Sequence, residues 1–153
     1  MGIKSFQGPR ANQEEEIKTP LLVKDYMTKK LVTFSPDQTL LEAMGNLVNH
    51  KISGGPVIND DNELIGIISE GDCLKQITQS HYYNMPMNDI KVADYMVKEV
   101  KTITSDSNIF EVADLFLSTK IRRFPVMEHG KLVGQITQKD ILAVVLQMKG
   151  QSW

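Results

Sequence analysis

Residues 66–72, G-I-I-S-E-G-D, return as G-Q-I-T-Q-K-D at 134–140. Each heptad carries a hydroxyl and, three residues later, a carboxylate: Ser69 with Asp72, and Thr137 with Asp140. Two chemistries suit that spacing. In a capping box the hydroxyl is the N-cap and the carboxylate the third residue of a following helix, and both side chains satisfy backbone N–H groups. In a ligand site the carboxylate, at the mouth of a cleft, accepts hydrogen bonds from both hydroxyls of a ribose. The hydroxyl and the helix N-terminus behind it then favour phosphate oxygens. Gly66 and Gly134 suit a close backbone approach or plain strand packing.

Arginine usage adds a second signal. The chain has 14 lysines and three arginines, yet two of the three are adjacent, Arg122 and Arg123. The planar guanidinium fork matches phosphate in a way that lysine does not. Strand alternation would instead send one of the pair to solvent or a surface ion pair. The matching positions of the earlier half are Ser53 and Gly54, without charge. Gly54 and Gly55 either leave room for a flat ligand or relieve crowding at a strand entrance.

The elements that must position these residues occur twice. V-K-D-Y-M at 23–27 returns as V-A-D-Y-M at 92–96, and K-I-S-G-G-P-V at Lys51 as K-I-R-R-F-P-V at Lys120, both shifted by 69. The heptads are shifted by 68, because N-D-D-N-E is one residue longer than E-H-G-K, as befits a hairpin turn. Each copy opens with a short β-prone run (31–34 and 100–104), and S-P-D or T-S-D then signals a helix start. The helix has apolar residues at i, i+3, i+4 and i+7: Leu40, Ala43, Met44 and Leu47, then Ile109, Val112, Ala113 and Phe116. Buried strands are predicted at 56–58 and 125–127, each joined by its polar turn to 64–68 or 132–136, and a last helix follows each heptad. A unit of ~70 residues buries too little surface to be secure alone, so the copies are expected to share a core.

Composition limits the possible functions. With 153 residues, 41% apolar and 24% charged, the chain is long enough for one core or two very small ones. A net charge of −2 provides no basic face for nucleic acid and no polybasic anchor for a membrane. Cys73 is the only cysteine, which excludes an intramolecular disulfide and a cysteine zinc cluster and suits a reducing, cytoplasmic setting. No apolar run reaches signal-peptide or membrane-span length. His50, His81 and His129 are dispersed, so no metal site is expected. No nucleophile elbow, P-loop or dinucleotide fingerprint is present.

Taken together, D-Y-M, T-F-S-P-D-Q-T-L-L-E-A-M, I-R-R-F-P-V and the two heptads resemble a tandem pair of cystathionine-β-synthase (CBS) domains, a Bateman module, from about 18 to 148. The resemblance implies a mixed α/β (α+β) fold in which two β-α-β-β-α motifs pack as a pseudo-twofold pair around a shared core. It sets a tail at 1–17, motifs at 18–80 and 91–149, a linker at 81–90 and an end at 150–153. It also implies a regulatory, non-enzymatic module that needs no cofactor, binds an adenine nucleotide (AMP, ADP or ATP), and acts on an effector protein outside this chain. In such pairs the ribose-binding Asp comes from one copy and neighbouring contacts from the other. Carried over, that groups Ser69, Asp72, Thr102, Arg122 and Arg123 in a first cleft competent for phosphate. Thr33, Ser53, Gly54, Thr137 and Asp140 form a second cleft without an arginine. The alternative is a CBS pair with vestigial clefts that dimerises or docks on another protein. In the last helix Ile141, Val144, Val145 and Met148 form one apolar stripe, with Leu142 and Leu146 roughly 100° away. Two stripes predict a homodimer built on helices 73–77 and 141–148.

Overall fold

The computed structural model describes residues 20–83 and 88–152. The tail expected at 1–17 and residues 84–87 of the linker lie outside these. The first copy contains helix α1 (Val23–Tyr26), helix α2 (Leu40–His50), the antiparallel strands β1 (Gly54–Ile58) and β2 (Leu64–Ser69), and helix α3 (Glu70–Tyr83). The second repeats the order as α4 (Val92–Tyr95), β3 (Ile103–Thr104), α5 (Ile109–Thr119), β4 (Arg123–Glu128), β5 (Lys131–Thr137) and α6 (Gln138–Ser152). Its sheet has the order β3-β4-β5, with β3 parallel to β4 and β5 antiparallel. In the first copy Phe34 takes the place of β3 through a single parallel bridge to Val57.

The β-prone runs are thus shorter than their composition predicts, and the S-P-D and T-S-D words turn rather than cap. Gln38 N donates to Ser35 O at 3.2 Å and Ser107 N to Thr104 O at 3.0 Å. The helix caps come later. Thr39 Oγ1 accepts from Glu42 N at 3.2 Å, and Asn108 Oδ1 accepts from Phe110 N at 2.8 Å, satisfying first-turn donors. Helix α3 runs into the expected linker as far as Tyr83, and α6 extends past 149. The hairpin turns are as expected polar. His129 and Gly130, both at positive φ, close the second, whereas Asn59 Oδ1 organises the first by accepting from Asp61 N and Glu63 N.

Instead of one shared core there are two buried clusters, and each is completed by exchange between the copies. Val23, from the first copy's leading helix, is fully buried with Ile109, Phe124 and Ile136 of the second; Val92 is fully buried with Leu40, Val57 and Ile68 of the first. Backbone bridges fix the crossing segments: Thr28 exchanges hydrogen bonds with Gln135 at 2.9 and 3.0 Å, and Val97 with Ile67 at 2.8 and 2.9 Å. These crossings explain the heptad glycines. A Cβ on Gly66 would lie 2.6 Å from Met96 Sδ and 2.9 Å from Val97 O, and one on Gly134 would lie 2.5 Å from Met27 Sδ and 2.9 Å from Thr28 O. The methionine of each D-Y-M word therefore closes over the glycine of the other copy's heptad, which is the close approach the sequence allows.

Candidate ligand-binding clefts

Both heptads form capping boxes. Asp72 Oδ2 accepts from Ser69 N and Ser69 Oγ, each at 2.9 Å, and Asp72 N approaches Ser69 Oγ at 3.4 Å. Asp140 Oδ2 accepts from Thr137 N at 2.9 Å, and Asp140 N approaches Thr137 Oγ1 at 3.3 Å. In each box one carboxylate oxygen is used locally; these bonds leave Oδ1 to other partners.

Beside the first box lies a cleft of about 370 Å3 between the copies, lined by Ile67 and Ser69 of β2, Val97, Glu99, Val100 and Lys101 of the crossing segment, and residues 120–123. The structure therefore brings Ser69, Arg122 and Arg123 into one cleft. Thr102 is exposed and is not among its lining residues. Asp72 is held to Ser69 but faces an adjoining cavity of about 640 Å3, with Lys75, Gln79, Asp94 and Tyr95; Val97 lines both spaces. Lys101 and Lys120 also reach the first cleft, giving four cations against one anion, Glu99. Neither lysine was singled out from the sequence. Lys120 caps α5 in the left-handed conformation, as Lys51 caps α2, and that shared structural role hides its place at the cleft. Ile67, Val97, Val100 and Ile121 supply an apolar wall. A wall of this kind beside a cationic rim suits a ligand with one flat apolar part and one anionic part. No group of three or more histidines, cysteines or carboxylates among the described residues is arranged to hold a metal.

The second grouping needs a correction, because it does not lack an arginine. Arg122, just before β4, is exposed, whereas Arg123, the first residue of β4, is turned inward, 9% exposed, where Nη2 donates to Ser53 Oγ. The guanidinium also fills the space where a Gly54 Cβ would stand, so Gly54 makes room for Arg123 rather than for a ligand base. Gly55 is closed by the Phe34 ring and Val32 O, both 2.9 Å from where its Cβ would be. Thr33 is exposed, and Thr137 and Asp140 remain in their capping box. Burial first, and Arg122 second, lower the Arg123 pKa, while Glu70 opposes them through space. Burial and the nearby Asp72 and Glu70 raise that of the buried Cys73 thiol.

Outside the clefts, the α2–α3 face is a groove of about 590 Å3 lined by Leu47, Val48, Leu74 and Ile77, among others. The α5–α6 face has a smaller one, about 260 Å3, lined by Phe116, Leu117, Ile141 and Leu142. In α6 the two predicted stripes separate: Ile141 and Val144 are buried, whereas Leu142 is 63% and Leu146 72% exposed. Met148, in the same predicted stripe as Ile141 and Val144, is 40% exposed. No helix among the described residues is long and apolar enough to cross a membrane.

Comparison with known proteins agrees with this architecture. The chain is 27% identical over 131 residues to the uncharacterized protein MJ1225 of Methanocaldococcus jannaschii, a match that covers 86% of this chain and 44% of that one. The chain thus spans less than half the length of that relative. The crystal structure of CBSX2, a CBS-pair protein of Arabidopsis thaliana, in complex with AMP superposes with a TM-score of 0.75 at 31% identity, covering 84% of this chain and 98% of that one. The CBS domain pair of protein MJ0100, in complex with 5′-methylthioadenosine and S-adenosyl-L-methionine, gives 0.73 at 26% identity, covering 85% and 99%. The model of the CBS domain matches twice, at residues 23–79 and 92–147, and the chain belongs to that family as a tandem CBS pair.

Proposed function

We propose that this CBS pair is a regulatory module that binds an adenine nucleotide (AMP, ADP or ATP) in the first cleft and passes its occupancy to an effector protein. The observation that carries the reading is the meeting of Ser69, Arg122, Arg123, Lys101 and Lys120 at one cleft in a chain whose net charge is −2. Phosphate lies against the guanidinium fork of Arg122 and the Ser69 end of α3, and the adenine against Ile67, Val97 and Val100. The ribose reaches Asp72 around Val97, where Oδ1 accepts from the diol. CBSX2 with AMP and MJ0100 with adenosine-type ligands support the ligand class.

Occupancy is read through a homodimer. Val48 and Leu117, 75% and 78% exposed, occupy matching positions of the repeat, as do Leu74 and Leu142, 62% and 63% exposed. Two equivalent apolar faces on one chain are self-complementary to a second copy related by a twofold axis.

A second reading, a dimerising or docking module with vestigial clefts, is favoured by the capping boxes, which explain Asp72 and Asp140 with no ligand. A thermal-shift series with AMP, ADP, ATP, adenosine and S-adenosylmethionine separates the two. A ligand bound only by the folded state adds ~2.7 kcal/mol at 100 times its dissociation constant. A shift with the phosphorylated ligands supports the sensor, and no shift with any of the five leaves the docking module.

A further inference from the structure

A buried guanidinium requires compensation, and a carboxylate is the usual source. Among the described residues Arg123 has instead a neutral acceptor, the Ser53 hydroxyl, while Glu70 acts on it only through space. The flanking side chain is Arg122, another cation. The same Arg123 lines the first cleft. Its guanidinium rests over Gly54, in space that any larger residue would occupy. On the other side of Ser53, its carbonyl accepts from Glu70 N at 2.9 Å, tying the contact to the first turn of α3. Arg123 thus has two competing partners: the Ser53–Gly54 entrance of the first copy's β1, and any anion that enters the cleft beside Ser69.

We infer that Arg123 is a movable tie between the two copies: it is docked on Ser53 and Gly54 when the first cleft is empty and withdrawn by the phosphate of a bound nucleotide. Binding then frees the Ser53–Gly54 edge, and Ser53 also lines the α2–α3 groove together with Glu70. Occupancy of the first cleft thus reaches a residue of the α2–α3 groove, Ser53, through one side chain. Of the second grouping, Ser53 and Gly54 are the residues that Arg123 covers, and they become accessible as it leaves. This inference rests on the proposed binding of an adenine nucleotide.

The test is calorimetric titration of AMP and of adenosine into the full chain, as wild type, Ser53→Ala and Ser53→Ala with Arg123→Ala. Removing the docked partner removes one hydrogen bond that AMP must break. Ser53→Ala should therefore bind AMP about fivefold more tightly. Adenosine, which has no phosphate to draw the arginine away, should gain much less. The AMP gain should vanish in the double variant. Ser53→Gly removes the same hydroxyl and replaces Ser53→Ala if that variant does not fold. AMP affinity unchanged or weakened in a folded Ser53 variant overturns the tie while leaving nucleotide binding intact. An absence of AMP binding to the folded wild type overturns the nucleotide reading, and the tie with it.

Discussion

Gly66→Ala tests whether the exchanged segments hold the pair together. The new Cβ would meet Met96 Sδ at 2.6 Å, Val97 O at 2.9 Å and Met96 Cγ at 3.0 Å. The methionine tail can swing aside for less than ~1 kcal/mol, since its torsions are soft. The carbonyl of Val97 cannot, because it accepts from Ile67 N at 2.9 Å and that bridge anchors the crossing. Displacing it loses a backbone hydrogen bond, ~1 kcal/mol, and loosens the burial of Val92. A total of ~2 kcal/mol lies within the usual range for overpacking, and lowers the melting temperature by about 4–8 °C for a chain of this size. Gly45→Ala is the internal control. Gly45 lies inside α2 with nothing within 4 Å of its Cβ position, so the same substitution should stabilise by ~0.5–1 kcal/mol through helix propensity. Thermal and urea denaturation of the two variants and the wild type give the comparison. A Gly66→Ala protein as stable as the wild type would refute the argument that the glycine exists to admit the crossing methionine and carbonyl.

Asp72→Ala should weaken AMP binding about 10- to 100-fold through loss of the ribose contact while lowering stability by only ~1 kcal/mol through loss of the cap; calorimetry and denaturation separate the two. The chain should scatter light as a dimer at tens of micromolar, and Leu142→Glu, at a side chain 63% exposed, should yield a folded monomer. Cys73, whose thiol pKa burial raises above the ordinary value, should react with a disulfide reagent at neutral pH far more slowly in the folded chain than in urea. Because the folded thiol holds its proton more tightly than the unfolded one, its contribution to stability is present below the pKa of the unfolded thiol and lost as pH rises through that of the folded one, so Cys73→Ala should flatten the alkaline decline in melting temperature.

Local signals were legible in the sequence. The capping boxes at Ser69 and Thr137 are complete within four residues, so spacing alone specifies them. The paired helices α2 and α5 declare themselves by apolar period and start within one turn of the predicted place. Four-residue helices such as α1 and α4 are too short to show a period, although the repeated D-Y-M word marked their importance. Exchange of those helices between copies is a long-range choice: Val23 and Val92 are equally apolar whichever core receives them. The sequence allowed for one of Arg122 and Arg123 to turn to solvent, and Arg122 is the exposed one although both line the cleft. Which faces inward depends on the register of β4 against β5, where Arg123 stands opposite Thr137, and its docking on Ser53 spans 70 residues of chain. Lys120 was missed for a similar reason, since its repeat partner Lys51 performs the same capping role with no cationic cleft beside it.

The proposed recognition of an adenine nucleotide's phosphate by the first cleft runs through its two arginines, Arg122 and Arg123. Its most direct measurement is the ratio of AMP to adenosine affinity, by calorimetry, in the wild type and in Arg122→Ala with Arg123→Ala. The wild type should prefer AMP by at least ~10-fold, and the double variant should lose most of that preference, along with most of the salt dependence, while adenosine binding changes little. Equal affinities of the wild type for AMP and adenosine, or an undiminished preference in the folded double variant, would contradict it.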